Sequence, residues 1–334
     1  MKSHRKEYID VLRGIAVGCM LSWHTASSWI IPSLQTGNSW EILRAIGGMG
    51  APLFLLLAGV SITLKKGTPT SHAGINWVLF RRGLQIIMLG YLLRLQMWLI
   101  DSGALFHPIA WQAYLPLLVG TAMGWYGLKR WPIHLSTAPE RERTRHLCGW
   151  LILAALTIGG GYLRVAQLFP TRLDGLWRVD VLQIIGLSIA LLTVLIAYVR
   201  QPIAWLALAL IATLLALPLS QMLPGNVPVP LAAYIARWPL SEGQRQMAMF
   251  PLCPWLAYVL IGMALGTWAH KETPGVKLLA LSILAGLTAF LIAETRSYIH
   301  ELIVAFPIVT HTFRVAYRVC VGLALAGVAY AACR

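Results

Sequence analysis

Long apolar runs recur along this 334-residue chain, and short polar connections separate each run from the next. A helix needs about 20 predominantly apolar residues to cross a bilayer, and such runs predict membrane spans. We expect ten spans, at Ile9–Ile31, Ile42–Leu64, Trp77–Ile100, Ile109–Leu128, Leu147–Leu168, Val179–Val199, Ile203–Leu223, Phe250–Ala269, Val276–Thr295 and Thr312–Ala332. The predicted fold class is therefore all-α, a polytopic helical bundle in the membrane that forms one domain over residues 1–334.

The composition and the placement of charge agree with a membrane protein. The chain is 58% hydrophobic and 12% charged, about half the charge of a soluble domain. Its net charge of +15 does not predict nucleic-acid binding, because the basic residues lie in short connections between spans. They favour the N-terminal tail and the even-numbered connections, so both termini are expected in the cytoplasm. The five cysteines are isolated, and no spacing typical of a metal site is present.

The first span contains three ionisable residues, Asp10, Arg13 and His24. Such groups are costly at membrane depth and therefore indicate function. Arg13 and His24 are eleven residues apart, which corresponds to about 16 Å of helix rise. One helix thus presents a cation near one membrane face and an imidazole well inside, which suits a donor that enters from one side and an acceptor on the other.

Five sequence pieces together resemble a known family. They are YIDVLRGIAVGCMLSWH, GGMGAPLFLLLAGVSITL, FRRGLQIIMLGYLL, RVDVLQIIGLS and FPLCPWLAYVLIGMALG, in this order between Tyr8 and Gly266. The set resembles the bacterial relatives of heparan-α-glucosaminide N-acetyltransferase, in the transmembrane acyltransferase group that includes acyltransferase family 3. The resemblance implies an enzyme of the bacterial inner membrane that takes an acyl group from cytoplasmic acyl-CoA and delivers it to an extracytoplasmic acceptor, commonly a sugar. None of the five pieces falls in residues 104–177.

His24 is the predicted catalytic residue. Acyl transfer needs a base that removes the acceptor proton or a nucleophile that becomes acylated, and imidazole can do either. The family resemblance at this position supports the catalytic interpretation. A histidine that only hydrogen-bonds a neighbouring helix is the alternative.

The expected donor-binding residues lie near the predicted cytoplasmic side. Arg13 is expected to meet the phosphates or the pantetheine arm of CoA, although it could instead form a local ion pair with Asp10. Lys66 and Arg82 belong to a basic connection that suits the CoA phosphates, or that serves membrane topology alone. Gly50 and Ser61 belong to a small-residue stretch that either packs helices closely or leaves room for the acyl chain.

The expected acceptor-binding residues lie near the predicted outer side. Asp180 and Gln183 share one face at the start of the sixth span and can bind acceptor hydroxyls or cap the helix. Arg314 and Arg318 lie one turn apart in the last span, where they repel each other unless an anionic group lies between them. We expect them to face a polar cavity that holds Glu294, Glu301 or an acidic ligand. A structural network with those two glutamates is the alternative.

The sequence therefore predicts an acyl-CoA-dependent membrane acyltransferase, with acetyl-CoA as the expected co-substrate, no metal, and membrane lipids and a glycan as partners. A multipass transporter of a small anionic or sugar-like solute is the first alternative, because intramembrane His and Arg residues also relay protons and bind substrates. A non-catalytic scaffold with the same fold is the second. The sequence leaves the acceptor, the acyl length and the oligomeric state open, a homodimer included.

Overall fold

The computed structural model describes residues 7–65, 77–101, 111–130, 140–168, 178–222, 229–235, 249–271, 276–298 and 307–333. Within these ranges the regular structure is helical, as the sequence predicts. The chain forms two compact units, and each is described by itself below. The first unit comprises residues 1–71, 199–219 and 253–334, and the second comprises residues 72–198 and 220–252.

The first unit contains the N-terminal and C-terminal helices. Its helices are α1 (Glu7–Trp29), α2 (Gly37–Gly47), α3 (Gly50–Lys65), α8 (Pro202–Leu214), the first part of α9 (Ala216–Met222), α11 (Leu252–Lys271), α12 (Val276–Tyr298) and α13 (Pro307–Ala332). The apolar core lies between α1, α3 and α13, where Ile9, Leu12, Leu56, Val60 and Ala329 are buried together. This core holds α1 against α3, which is the pair that positions the candidate active site.

The second unit is built from the central helices. They are α4 (Trp77–Asp101), α5 (Trp111–Arg130), α6 (Glu140–Leu168), α7 (Val181–Tyr198) and the short α10 (Val229–Ile235). Helix α5 packs against α6, and α4 packs against α7. Between α4 and α7 the backbones approach closely, because a Cβ atom at Gly186 would lie 2.5 Å from the carbonyl oxygen of Gly83. Small residues at such a crossing are typical of helix packing in membranes.

Each of the ten predicted spans overlaps one or two of the described helices. Five described helical stretches, with α2 and α3 taken together as one, are long and apolar enough to cross a membrane, which confirms a polytopic helical membrane protein. The exact number of crossings and the cytoplasmic position of the termini stay predictions.

Two predicted spans are divided, and a third contains a proline. The second span is split into α2 and α3 by a turn at Gly48 and Met49, and the seventh is split into α8 and α9 at Leu215. In the fourth span, α5 runs through Pro116 without a break. Membrane helices tolerate internal proline, because neighbouring groups satisfy the backbone carbonyl that its ring leaves free.

Candidate active site

Helices α1 and α3 bring two of the predicted donor-binding residues into direct contact. The guanidinium group of Arg13 donates one hydrogen bond to the Ser61 hydroxyl, with an Nη2–Oγ distance of 2.6 Å. Its other terminal nitrogen pairs with the Asp10 carboxylate at 2.7 Å, as the i,i+3 spacing predicts. The Arg13 side chain remains 47% exposed. It is therefore fixed in direction by both partners and still accessible to an anionic ligand.

Small residues allow this close approach of α1 to its neighbours. A Cβ atom at Gly50 would lie 3.1 Å from the backbone nitrogen of Met20, and one at Gly47 would collide with Trp23. On α3, Gly50 contacts Met20 and Ser61 contacts Arg13. Residue numbers therefore rise along α3 as they fall along α1, so the two helices are antiparallel. Gly50 thus contributes to helix packing, and its predicted role beside the acyl chain remains a prediction.

His24 lies on the same face of α1 as Arg13. Eleven residues at 100° per residue return to within about 20° of the starting direction, so the two side chains share one stripe of the helix. Met20, which packs against Gly50, belongs to this stripe as well. The His24 side chain is exposed, and its carbonyl oxygen accepts a hydrogen bond from the Ser27 hydroxyl at 3.3 Å. The imidazole is therefore open to a ligand on the side of α1 that faces α3.

No described contact joins the other two predicted donor-binding residues, Arg82 and Lys66, to Arg13 or Ser61. Arg82 is exposed on the first turns of α4, in the second unit. Lys66 lies outside the described residues. Their predicted roles toward CoA stay predictions.

Asp180 and Gln183 meet in the second unit, as their spacing predicts. The backbone N–H of Asp180 donates a hydrogen bond to Oε1 of Gln183 at 3.2 Å. The Asp180 carboxylate lies 3.5 Å from Arg178 and 3.5 Å from Arg94 of α4. Arg94 is 7% exposed, which makes it a buried cation within a predicted span. Our sequence reasoning missed Arg94, although a charge inside the third span is the signal that identified Arg13.

Arg314 and Arg318 both interact with the buried Tyr258 of the first unit. The Arg318 guanidinium carbon lies 5.6 Å from the centre of the Trp255 ring, a cation–π contact. Both arginines interact electrostatically with the hydroxyl of Tyr258. The side chain of Glu294 and the whole of Glu301 lie outside the described part of the chain.

The aromatic partners of these arginines were missed by the sequence reasoning. Trp255 and Tyr258 are three residues apart on α11, and their rings are 5.6 Å apart. Both residues lie in one of the five pieces that carry the family resemblance. Their i,i+3 spacing predicts that both rings share one helix face, and this pattern could have identified them.

Compared with known protein families, residues 5–295 match the catalytic domain of heparan-alpha-glucosaminide N-acetyltransferase. The match confirms the resemblance read from the five motifs. It also includes residues 104–177, which contain none of them, and it takes in helices of both units. No curated protein and no solved structure matches the chain.

Proposed function

This chain belongs to the heparan-alpha-glucosaminide N-acetyltransferase catalytic family, a family of membrane acetyltransferases, and from that premise we propose the reaction that it performs. The protein moves an acyl group, acetyl in the simplest case, from cytoplasmic acyl-CoA to an extracytoplasmic sugar amine or hydroxyl. The observation that supports this proposal is the shared stripe of α1. On this stripe Arg13, oriented by Ser61, and the open imidazole of His24 are separated by about 16 Å of helix rise.

Arg13 contacts the donor in this proposal. The CoA nucleotide and its diphosphate are anionic, and a guanidinium group with accessible N–H donors binds phosphate oxygens well. The pantetheine arm of CoA is long and extended, so a thioester can lie far from the nucleotide that anchors it. Arg82 and Lys66 are the further basic residues proposed for the CoA phosphates. Ser61 directs the Arg13 guanidinium group toward the donor, and the small Gly50 lets α1 and α3 approach each other beside the proposed acyl position.

His24 acts on the acyl group. As a base it takes the proton of the acceptor amine or hydroxyl while the acceptor nitrogen or oxygen attacks the thioester carbonyl. The C–S bond then breaks, and the CoA thiolate leaves and takes up a proton. As a nucleophile, the imidazole nitrogen attacks the thioester carbonyl, the C–S bond breaks, and CoA leaves as the thiol with the imidazole proton. The acceptor then attacks the acyl-histidine, the acyl C–N bond breaks, and the freed imidazole nitrogen takes up the acceptor proton.

Two groups of residues are candidates for acceptor binding, one in each unit. Asp180 and Gln183 offer a carboxylate and an amide to sugar hydroxyls. Arg314 and Arg318 offer positive charge beside the aromatic rings of Trp255 and Tyr258. Each arrangement includes one fully buried side chain, Gln183 in the first and Tyr258 in the second, beside more accessible polar groups.

The proposed reaction is tested with the purified full chain in detergent and radiolabelled acetyl-CoA, with glucosamine and glucose as trial acceptors. We expect CoA release that increases with added acceptor, and label that appears in the sugar. Absence of CoA release with acetyl-CoA, longer acyl-CoAs and varied acceptors would contradict the proposal. Solute uptake by liposomes that contain the protein would then support the transporter alternative.

Arg13→Ala is expected to raise the KM for acetyl-CoA by about tenfold, because one charge-assisted contact to a phosphate is lost. The kcat is expected to change less than the KM, since Arg13 lies far from the reacting carbonyl. Initial rates at varied acetyl-CoA concentration measure both constants.

Ser61→Ala is the matched control for Arg13. This variant removes the hydroxyl that orients the guanidinium group but keeps the charge, so its effect on the KM should be smaller. An unchanged KM in Arg13→Ala would show that the arginine only anchors the end of α1.

A further inference from the structure

A polar cluster with two buried and two partly exposed members lies where the end of α4 meets the start of α7. Its members are Arg94, Arg178, Asp180 and Gln183. Arg94 lies seven residues before the end of α4, about 10 Å along the helix axis, and its side chain is 8% exposed. A buried cation at such a position in a membrane helix indicates function more often than packing.

The orientation of the Gln183 amide is fixed by its neighbour. The backbone N–H of Asp180 is a donor, so the amide atom that faces it is the acceptor Oε1. The amide nitrogen Nε2 therefore points the other way, and it finds no hydrogen-bond acceptor among the described residues. Gln183 is 0% exposed. A fully buried amide with an unused donor is costly, and an oxygen atom of a ligand would satisfy it.

The backbone of α4 is shaped to admit this glutamine. A Cβ atom at Gly90 would lie 2.9 Å from the Cδ atom of Gln183 and 3.0 Å from its Oε1. One turn later on the same helix, Arg94 reaches the carboxylate of Asp180. Tyr91, which follows Gly90 on α4, is hydrogen bonded through its hydroxyl to the hydroxyl of Tyr234 in α10.

We infer that this cluster is a binding site for a hydroxyl-rich ligand, and that Arg94 is the positioning residue that holds its carboxylate. Asp180, 34% exposed, accepts a hydrogen bond from a ligand hydroxyl, and Gln183 donates one to a ligand oxygen. A sugar hydroxyl can both donate and accept a hydrogen bond, so a sugar carries the groups that the carboxylate and the amide each require. Arg94 fixes the direction of the carboxylate from α4 and does not itself touch the ligand. The assignment of this ligand as the acceptor rests on the proposed function.

The inference is tested by equilibrium binding of radiolabelled glucosamine and glucose to the purified full chain, measured beside CoA release. Arg94→Met is expected to weaken sugar binding by at least about tenfold and to leave the KM for acetyl-CoA unchanged. Arg94→Lys, which keeps a cation near Asp180, should recover part of the loss. Arg164→Met is the matched control, because Arg164 is an exposed arginine of the same unit that is held by Gln112 and Gln167.

A second variant keeps the test valid if Arg94→Met does not fold. Gln183→Met preserves the length of the side chain and removes the unused buried donor together with one hydrogen bond. We expect its melting temperature to stay close to that of the wild type while sugar binding falls by at least about tenfold, a separation that a purely structural role would not produce.

The outcomes separate this inference from the proposed function. Unchanged sugar binding in Arg94→Met and Gln183→Met, or no sugar binding in a wild type that releases CoA, would overturn the inference alone. Sugar binding that depends on Arg94 and Gln183 in a protein that never releases CoA would support the site and contradict the proposed acyl transfer.

Discussion

His24→Ala is expected to lower acceptor-dependent CoA release by at least about 100-fold, because one positioned base contributes about 10²–10⁴ to a rate. The side chain is exposed on α1, so its removal creates no cavity and should leave the melting temperature nearly unchanged. Initial rates at saturating acetyl-CoA and acceptor measure the loss, and a melting curve of each purified variant confirms that it is folded.

Two variants make the His24 result specific. His24→Asn can form hydrogen bonds but cannot take up a proton near neutral pH, so it should be as slow as the alanine variant. Thr25→Ala is the matched control, because Thr25 is exposed on the same turn but about 100° round the helix from His24. Substantial activity in His24→Asn would contradict a catalytic histidine and leave a hydrogen-bonding role.

The same variants distinguish the two mechanisms open to His24. If the histidine is acylated, wild-type protein quenched after mixing with labelled acetyl-CoA alone will retain label, and both His24 variants will not. If the histidine is a base, acceptor and donor must be bound together, and neither wild type nor variants will retain label. Retention in the wild type would also allow transfer across the membrane in two half-reactions.

The sequence predicted the helices well because the bilayer imposes their length and apolar character. Each of the ten predicted spans overlaps one or two described helices, and Pro116 is accommodated within α5. The turn at Gly48 and Met49 was not predicted, because hydropathy is averaged over a whole span and does not register a single turn. The pairing of helices was not predictable either. Contacts such as the approach of α4 to α7 depend on small residues that occur in many spans.

The candidate site was predicted in part. Arg13 and Ser61 were both named from the sequence, but the hydrogen bond between them joins residues 48 positions apart, which no local pattern reports. Asp180 and Gln183 are close in sequence, so helical spacing was enough to place them together. Arg94, the partner of Asp180 on α4, was missed. Its charge lies inside a predicted span, as that of Arg13 does, but only Arg13 was interpreted as functional for this reason.

Gly262→Val is expected to prevent correct folding of the first unit. At Gly262 of α11 an added Cβ atom would collide with the backbone carbonyl of Leu56 in α3, and a Cβ atom at Gly59 of α3 would collide with the carbonyl of Val259. Backbone atoms on both sides cannot move aside as a flexible side chain can, so the two helices must separate. Overpacking of this kind costs about 1–3 kcal/mol or more, a large part of the stability of a typical protein.

The Gly262 variant is measured by detergent-solubilised yield, size-exclusion profile and melting temperature, with Gly262→Ala as the milder substitution. Gly286→Ala is the matched control, because a Cβ atom at Gly286 of α12 would make an ordinary contact of 3.6 Å with Ala324. We expect a lower melting temperature in Gly262→Ala, little folded protein in Gly262→Val and wild-type behaviour in Gly286→Ala. Equal melting temperatures in the two alanine variants would contradict the close contact of α3 with α11. Because α3 also supplies Ser61, any folded Gly262 variant should bind acetyl-CoA more weakly than the control.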